Sequence, residues 1–159
     1  MHHIDTTEII DRGWPVATFD KRIIPAHHSV LVVRNSDRNS DYLNYVCEFL
    51  DIVVEHVANS DDLRSMLPML RPMAVIADLD GESQDGFHVM KVAADYDRSM
   101  PVLLLTDNDP ALLGAIDAVQ EVWGLTRVVT AAATAGIGTL VDFVCHAARD
   151  AGRPRLMRV

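Results

Sequence analysis

The stretch from Met73 to Phe87 constrains the fold of this chain more than any other. It opens with five consecutive apolar residues and then changes abruptly to carboxylates and glycines. An unbroken apolar run of this length is typical of a strand buried on both faces in a parallel sheet. Asp78 ends the run, so its carboxylate is expected at the carboxyl edge of the sheet, where open α/β folds bind their ligands. Asp85 and Gly86 then lead into apolar positions at helical spacing, which predicts a strand, an acidic loop and a helix in that order.

The chain after residue 28 alternates apolar runs with amphipathic segments. We predict strands at residues 30–33, 52–57, 73–78, 101–106 and 127–131. We predict helices at residues 37–50, 60–70, 86–96, 109–123 and 136–149, with Ser60 as N-cap of the second helix and Pro68 kinking or shortening it. Strands that alternate with helices through short connections pair in parallel with right-handed crossovers. The predicted fold class is therefore α/β, a doubly wound three-layer sandwich around a parallel five-stranded sheet of order 2-1-3-4-5.

Residues 29–150 are predicted to form one domain between two short segments. Residues 151–159 form a basic tail, and residues 1–28 form an N-terminal arm. The arm is either a flexible extension or a segment that packs on its own domain or on a partner. The side chains that would pack are Trp14, Phe19, Ile23 and Ile24.

Composition excludes several classes of protein. The formal net charge of -9 argues against a nucleic-acid surface, since phosphate binding requires clustered Lys and Arg. Cys47 and Cys145 lack the spacing of metal ligands, which favours buried thiols in a reducing cytoplasm. No signal peptide or membrane-length apolar run is visible.

The segment around Asp78 resembles the central part of bacterial response-regulator receiver domains of the CheY type. In that family the third strand ends in the phospho-accepting aspartate, an Asp-Gly follows at the same distance, and the fourth strand ends in Thr or Ser. The resemblance covers residues 29–149 and implies a flavodoxin-like receiver fold. It gives Asp78 the phospho-acceptor position and Thr106 the hydroxyl position. Asp80 takes the position whose backbone carbonyl binds the metal in the family.

The chain departs from the family at the remaining positions of this site. In the family an acidic pair after the first strand holds Mg²⁺, and the fifth strand reads aromatic-Val-Val-Lys-Pro. The matching residues here are Arg34 and Asn35 for the acidic pair, Thr130 for the lysine and Arg127 for the switch aromatic residue. Mg²⁺ requires oxygen ligands, and two unit charges about 4 Å apart interact by about 4 kcal/mol near a protein surface. Arg34 is therefore expected to repel Mg²⁺ and to form an ion pair with Asp78.

Three residues of this site keep two interpretations each. Asp78 is either a silent carboxylate satisfied by Arg34 and loop amides, which we favour, or a residual phospho-acceptor. Thr106 either orients a phosphoryl group or bonds a loop backbone. Arg127 is either a lever that links the site to the outer face or an exposed residue at the start of a strand.

A metal site is the weaker interpretation of the remaining ligand types. Asp80, Glu82 and Asp85 could chelate a metal between them, but three carboxylates on a solvent-facing loop are usually hydrated. The weak alternative is Mg²⁺ held by Asp78 and Asp80. The histidines are predicted to be structural or on the surface, because His56, His88 and His146 lie on separate elements.

The sequence thus predicts a stand-alone, atypical receiver domain that acts as a protein-interaction module in signalling. It is expected to be no enzyme, to need no cofactor, to bind neither nucleic acid nor membrane, and to lack ordinary Mg²⁺-dependent phosphorylation. The alternative is a phospho-switch that a histidine kinase system phosphorylates on Asp78 with Mg²⁺ bound. A small-molecule site beside Asp78 and Arg34 is a third possibility by fold analogy.

Two kinds of partner follow from this interpretation. One is a signalling protein, either a histidine kinase or a downstream regulator. The other is a second copy of the chain, bound through the fourth helix, the fifth strand and the fifth helix. The segments at 109–123 and 136–149 are rich in alanine and sparsely charged, which suits a closely packed contact.

Overall fold

The computed structural model describes residues 29–33, 40–79, 86–107, 109–132 and 136–151. Nearly all of the predicted arm at 1–28 and tail at 151–159 lies outside these residues, apart from Ala151 at the end of a helix. The predicted domain limits therefore stay predictions.

Five strands form one parallel sheet. They are β1 (Ser29–Val33), β2 (Val53–Val57), β3 (Ala74–Asp78), β4 (Val102–Thr106) and β5 (Val128–Ala132). Their order is β2-β1-β3-β4-β5, which confirms the prediction. All residues of β1 and β4 are buried, as unbroken apolar runs predict for central strands. The edge strands β2 and β5 are more exposed.

Five helices cover the two faces of the sheet. They are α1 (Ser40–Phe49), α2 (Ser60–Leu70), α3 (Gly86–Tyr96), α4 (Pro110–Trp123) and α5 (Ile137–Ala151). Leu63 of α2, Val89 of α3 and Ile116 of α4 pack in one core cluster with alternate residues of β1, β3 and β4. Leu43 of α1 and Phe143 of α5 pack in a second cluster with the other residues of those strands. The three-layer sandwich is thus confirmed, with α2, α3 and α4 on one face and α1 and α5 on the other. None of the helices in the described part of the chain is long and apolar enough to cross a bilayer.

The start of α2 differs from the prediction. Asn59, not Ser60, is the N-cap, and its side-chain oxygen accepts a hydrogen bond of 3.0 Å from the backbone N–H of Asp61. Asn59 has the extended backbone that an N-cap requires. Asn and Ser are both good caps, so the sequence did not separate the two neighbours. Ser60 is instead buried inside the first turn.

Helix α2 ends shortly after its internal proline. The helix includes Pro68 and stops two residues later, at Leu70. Arg71 adopts a left-handed backbone with φ of 46°, and its N–H donates to the Leu67 carbonyl at 2.9 Å. This is the usual hydrogen bond of a helix C-terminus.

Cys47 is part of the core between α1 and the sheet. Burial raises the pKa of its thiol to about 11. The group therefore stays protonated near neutral pH and packs as a small apolar side chain.

Candidate functional site

Asp78 and Thr106 end neighbouring strands at the carboxyl edge of the sheet. Asp78 is the last residue of β3 and pairs with Leu105, while Thr106 is the last residue of β4. The ladder continues one residue further, because the N–H of Leu79 donates to the Leu105 carbonyl at 2.8 Å. Asp78 is half-buried, and Thr106 is almost completely buried. Both residues therefore lie at the edge where the sequence predicted them.

The register of β3 and β4 shows where Asp78 and Thr106 lie relative to each other. Asp78 is level with Leu105, so Thr106 lies one residue further along its strand. Side chains alternate between the two faces of a sheet. Asp78 thus follows Ile76 on the face covered by α1 and α5, and Thr106 follows Leu104 on the face covered by α2, α3 and α4.

Gly86 brings α3 against the end of β3. A Cβ atom at this position would lie 2.6 Å from Cδ1 of Leu79, 3.0 Å from Cα of Leu79 and 3.5 Å from the carbonyl oxygen of Asp78. The first two distances are closer than van der Waals contact permits. The glycine of the Asp-Gly pair is therefore required for this close approach, which fixes the start of α3 next to the strand that carries Asp78.

The end of β5 lies beside Thr106 but supplies no positive charge. Thr106 pairs with Ala132, whereas Thr130 pairs with Leu104, two residues before the edge. A side chain that left β5 level with Thr106 would belong to Ala132 rather than to Thr130. Neither residue carries an amine, so β5 offers no lysine whether Thr130 or Ala132 is matched to the lysine position of the family.

The chain has only two lysines, Lys21 and Lys91. Lys91 lies on α3, where its Nζ donates to Asp95 at 2.8 Å and sits 5.7 Å from the ring centre of Trp123. The hydrogen bond from Lys91 lowers the pKa of the Asp95 carboxyl. Lys91 is thus engaged along its own helix, and Lys21 lies outside the described residues.

Arg127 lies just before the amino end of β5, whereas Thr106 lies level with the carboxyl end of that strand. Its guanidinium forms an ion pair with Asp150 near the end of α5. The side chain is partly exposed. Arg127 thus joins the start of β5 to the end of α5, and both interpretations of its role stay predictions.

The remaining predicted site residues lie outside the described part of the chain. They are Arg34, Asn35, Asp80, Glu82 and Asp85. The ion pair between Arg34 and Asp78 and the metal site in the acidic loop therefore stay predictions.

Within the described ranges, no three His, Cys, Asp or Glu side chains come together in a way that could hold a metal ion. Asp78 is the one carboxylate that ends a described strand. Asp80, the other residue considered for Mg²⁺, lies outside the described residues.

Two histidines make hydrogen-bond contacts between elements. Nδ1 of His88 on α3 lies 2.9 Å from Oγ of Ser60 on α2, and Nε2 of His56 on β2 lies 3.3 Å from Oδ1 of Asn44 on α1. The first contact joins the starts of α2 and α3 on the carboxyl side of the sheet. Sequence reasoning missed it, because nothing in a single sequence pairs a polar residue with another 28 positions away.

No family model matches the chain, and no curated protein matches it at a significant level. Solved structures do match it over most of its length. A putative response regulator from Chloroflexus aurantiacus J-10-fl has 20% identity and a TM-score of 0.60, with 76% of this chain and 96% of that chain covered. The chain has the receiver fold.

Two further structures support the same fold. The chemotaxis response regulator CheY4 of Vibrio cholerae has 20% identity and a TM-score of 0.59, and the match covers 75% of this chain and 97% of that one. The signal receiver domain of a signal transduction histidine kinase from Syntrophus aciditrophicus has 23% identity and a TM-score of 0.61, with 83% and 98% covered. Similarity at this level of identity establishes the receiver fold and leaves the chemistry to the residues of the site.

Proposed function

We propose that this receiver-fold chain is a signalling module that acts by binding other proteins and is not phosphorylated in the ordinary Mg²⁺-dependent way. The proposal rests mainly on the side chains at the carboxyl end of β5. The residue level with Thr106 is Ala132, β5 has no amine, and Lys91 is held by Asp95 on α3.

The chemistry of phosphoryl transfer supports the proposal. Proteins catalyse it by positioning the groups and by neutralising the charge on the phosphoryl oxygens with metal ions and cationic side chains. At the edge that carries Asp78, β5 contributes only alanine and threonine side chains. The sequence also has Arg34 and Asn35 in place of the acidic pair that would hold Mg²⁺. The carboxylate alone is then a poor phospho-acceptor, and the module works through its surface rather than as an enzyme.

The alternative function is a phospho-switch at Asp78, operated by a histidine kinase system. One observation favours it. Asp78 is half-buried at the carboxyl edge next to Thr106, and Gly86 packs the start of α3 directly against it. In this alternative, Asp78 and the loop residue Asp80 bind Mg²⁺.

Restoring the acidic pair separates the two functions. We expect the parent chain to show no saturable Mg²⁺ binding at millimolar concentration, and the variant with Arg34→Asp and Asn35→Asp to bind it, because carboxylates would replace a repelling cation. Titration calorimetry measures both. Arg34→Ala is the control, since it removes the cation without adding a ligand. Equal Mg²⁺ affinity in the parent and the double variant would contradict the proposal.

The surface formed by α4, β5 and α5 is the proposed site of self-association. It carries three exposed apolar side chains, Val122, Val129 and Ile137. Sparse charge and exposed apolar side chains are features of contacts between subunits. The other proposed partner is a signalling protein, either a histidine kinase or a downstream regulator.

Substitution of Val122 tests this surface. We expect the parent to sediment as a dimer at micromolar concentration and Val122→Glu to shift it to monomer, because the introduced carboxylate would have to lose its water in the contact. Met69→Glu is the matched control, since Met69 is similarly exposed but lies on α2. A parent that stays monomeric, or equal effects of both substitutions, would refute this dimer.

A further inference from the structure

The two edge strands of the sheet differ in how their open sides are protected. β2 carries Glu55 and His56, and a charged side chain within an edge strand discourages pairing with another chain. β5 consists of two valines, a threonine and two alanines, with no charge and no proline. Among the described residues, no strand lies beyond β5. β5 therefore lacks the charge that protects the opposite edge of the sheet.

The helices leave β5 partly exposed on both faces of the sheet. Val129 is level with Leu103, and Thr130 is level with Leu104. These two leucines belong to the two different core clusters, so Val129 lies on the face of α1 and α5 and Thr130 on the face of α2, α3 and α4. Both Val129 and Thr130 are exposed. A further strand would therefore find room on each face beside β5.

The backbone of β5 presents every second residue to its free edge. The N–H of Val102 donates to the Arg127 carbonyl at 2.9 Å, and Val102 is level with Val128. In a parallel ladder a residue bonds to the two neighbours of its partner, so the odd-numbered residues of β5 turn their backbone groups toward β4. The residues whose N–H and C=O groups point outward are Val128, Thr130 and Ala132.

β5 is complementary to a second copy of itself. Thr130 lies midway between Val128 and Ala132, so an antiparallel copy related by a two-fold axis at Thr130 would give every outward residue an outward partner. Val128 would then lie opposite Ala132, and Val129 opposite Ala131, so a larger side chain meets a smaller one in each pair. Threonine would meet threonine at the axis, which is a favourable pair across strands. A register centred elsewhere would leave an outward residue without a partner in the strand.

Charge also favours contact at this edge. The chain has a formal net charge of -9, so two copies repel each other over much of their surfaces. β5 contains no carboxylate, and Arg127, which precedes it, forms an ion pair with Asp150. The paired strands would therefore bring no like charges opposite each other.

We propose that two copies of the chain pair through β5 as antiparallel strands, with the two-fold axis at Thr130, so that the two sheets become continuous. This inference rests on the self-association proposed above for the surface formed by α4, β5 and α5, and it specifies the geometry of that contact. Backbone hydrogen bonds supply the attraction, and the alternation of valine and alanine sets the register.

Sedimentation of variants at Thr130 tests the proposal. We expect Thr130→Glu to weaken the dimer at least about a hundredfold, because two carboxylates would lie directly opposite each other at the axis. Thr130→Val is the matched control, since it keeps a β-branched side chain and the backbone groups that pair. We expect this variant to stay a dimer at micromolar concentration. Circular dichroism would verify that both variants stay folded.

Disulfide trapping tests the position of the axis. Opposite residues of a hydrogen-bonded antiparallel pair have Cα atoms about 5.5 Å apart, which is within the range of a disulfide. In a background with Cys145→Ala, we expect Thr130→Cys to give a disulfide-linked dimer under mild oxidation. Cys47 is buried and stays a thiol. Val53→Cys is the control, because Val53 is 52% exposed but lies on the other edge strand, and we expect little linkage there.

The results separate this geometry from self-association in general. A monomeric parent would refute both the pairing through β5 and the dimer proposed above. A parent dimer that Thr130→Glu leaves intact, or that Thr130→Glu and Thr130→Val weaken equally, would refute the pairing through β5 alone. Equal disulfide linkage by Thr130→Cys and Val53→Cys would also refute it.

Discussion

Gly86→Ala is expected to lower the free energy of unfolding by about 1–3 kcal/mol, the usual cost of forcing an extra carbon into a packed region. The new Cβ would lie 2.6 Å from Cδ1 of Leu79 and 3.0 Å from its Cα. The Cδ1 atom can rotate away, but the Cα belongs to the backbone where β3 ends. Relief therefore requires α3 to move away from the strand that carries Asp78. Urea denaturation followed by circular dichroism measures the change.

Gly114→Ala is the matched control for this substitution. Gly114 lies inside α4 and is exposed, and a Cβ there would have no atom within 4 Å. Alanine is a better helix former than glycine, so we expect this variant to gain about 0.5–1 kcal/mol. The two substitutions add the same carbon and should have opposite signs. A stabilised Gly86→Ala variant would show that the start of α3 is not held against the end of β3.

Leu104→Ala is expected to have the largest effect on stability, a loss of about 2–5 kcal/mol. Leu104 is completely buried in the middle of β4, between Ala77 of β3 and Thr130 of β5. Its side chain packs in the core cluster under α2, α3 and α4. Alanine would leave a cavity that rigid strands on both sides cannot close. The free energy of unfolding from urea titration is the measurement.

Met69→Ala is the control for the second prediction. Met69 lies on α2 with 70% of its side chain exposed, so truncation removes few contacts. We expect a change within about 0.5 kcal/mol. If Leu104→Ala had as small an effect, β4 would not be the central buried strand of this fold.

The fold was predictable because the central strands consist of unbroken runs of apolar residues. Residues 30–33 and 101–106 have no polar alternation, which requires burial on both faces and hence helices on both sides of a parallel sheet. The helices between them then follow from the connections that parallel strands need. The strand order came from the receiver resemblance and the doubly wound pattern together.

Element ends were less predictable because they depend on local competition. Asn59 and Ser60 are both suitable caps, and the backbone of α2 uses the first. β5 begins at Val128 rather than at Arg127, although the Arg127 carbonyl still accepts a hydrogen bond of 2.9 Å from the N–H of Val102. The Arg127 side chain forms an ion pair with Asp150 on α5. Ion pairs of this kind join residues far apart in the chain, and the hydrophobic periodicity of the sequence does not predict them.

The placement of Asp78 and Thr106 at strand ends was predictable, and the assignment of Thr130 to the lysine position stays a prediction. Asp78 and Thr106 lie at the ends of β3 and β4 because a polar residue ends each apolar run. The register of β5 along β4 could not be predicted from the sequence, because strand pairing joins residues far apart in the chain. Pairing of Thr106 with Ala132 decides which residue of β5 is level with the site.

We expect that the carboxylate of Asp78 does not accept a phosphoryl group under ordinary conditions. The most direct measurement is the intact mass of the protein after incubation with a small phosphodonor and Mg²⁺, next to an active receiver domain treated in the same way. We predict that the control gains one phosphoryl group and that this chain keeps its unmodified mass, because β5 offers no amine and Arg34 and Asn35 replace the acidic pair. A stable gain of one phosphoryl group that is lost in Asp78→Asn would contradict the account.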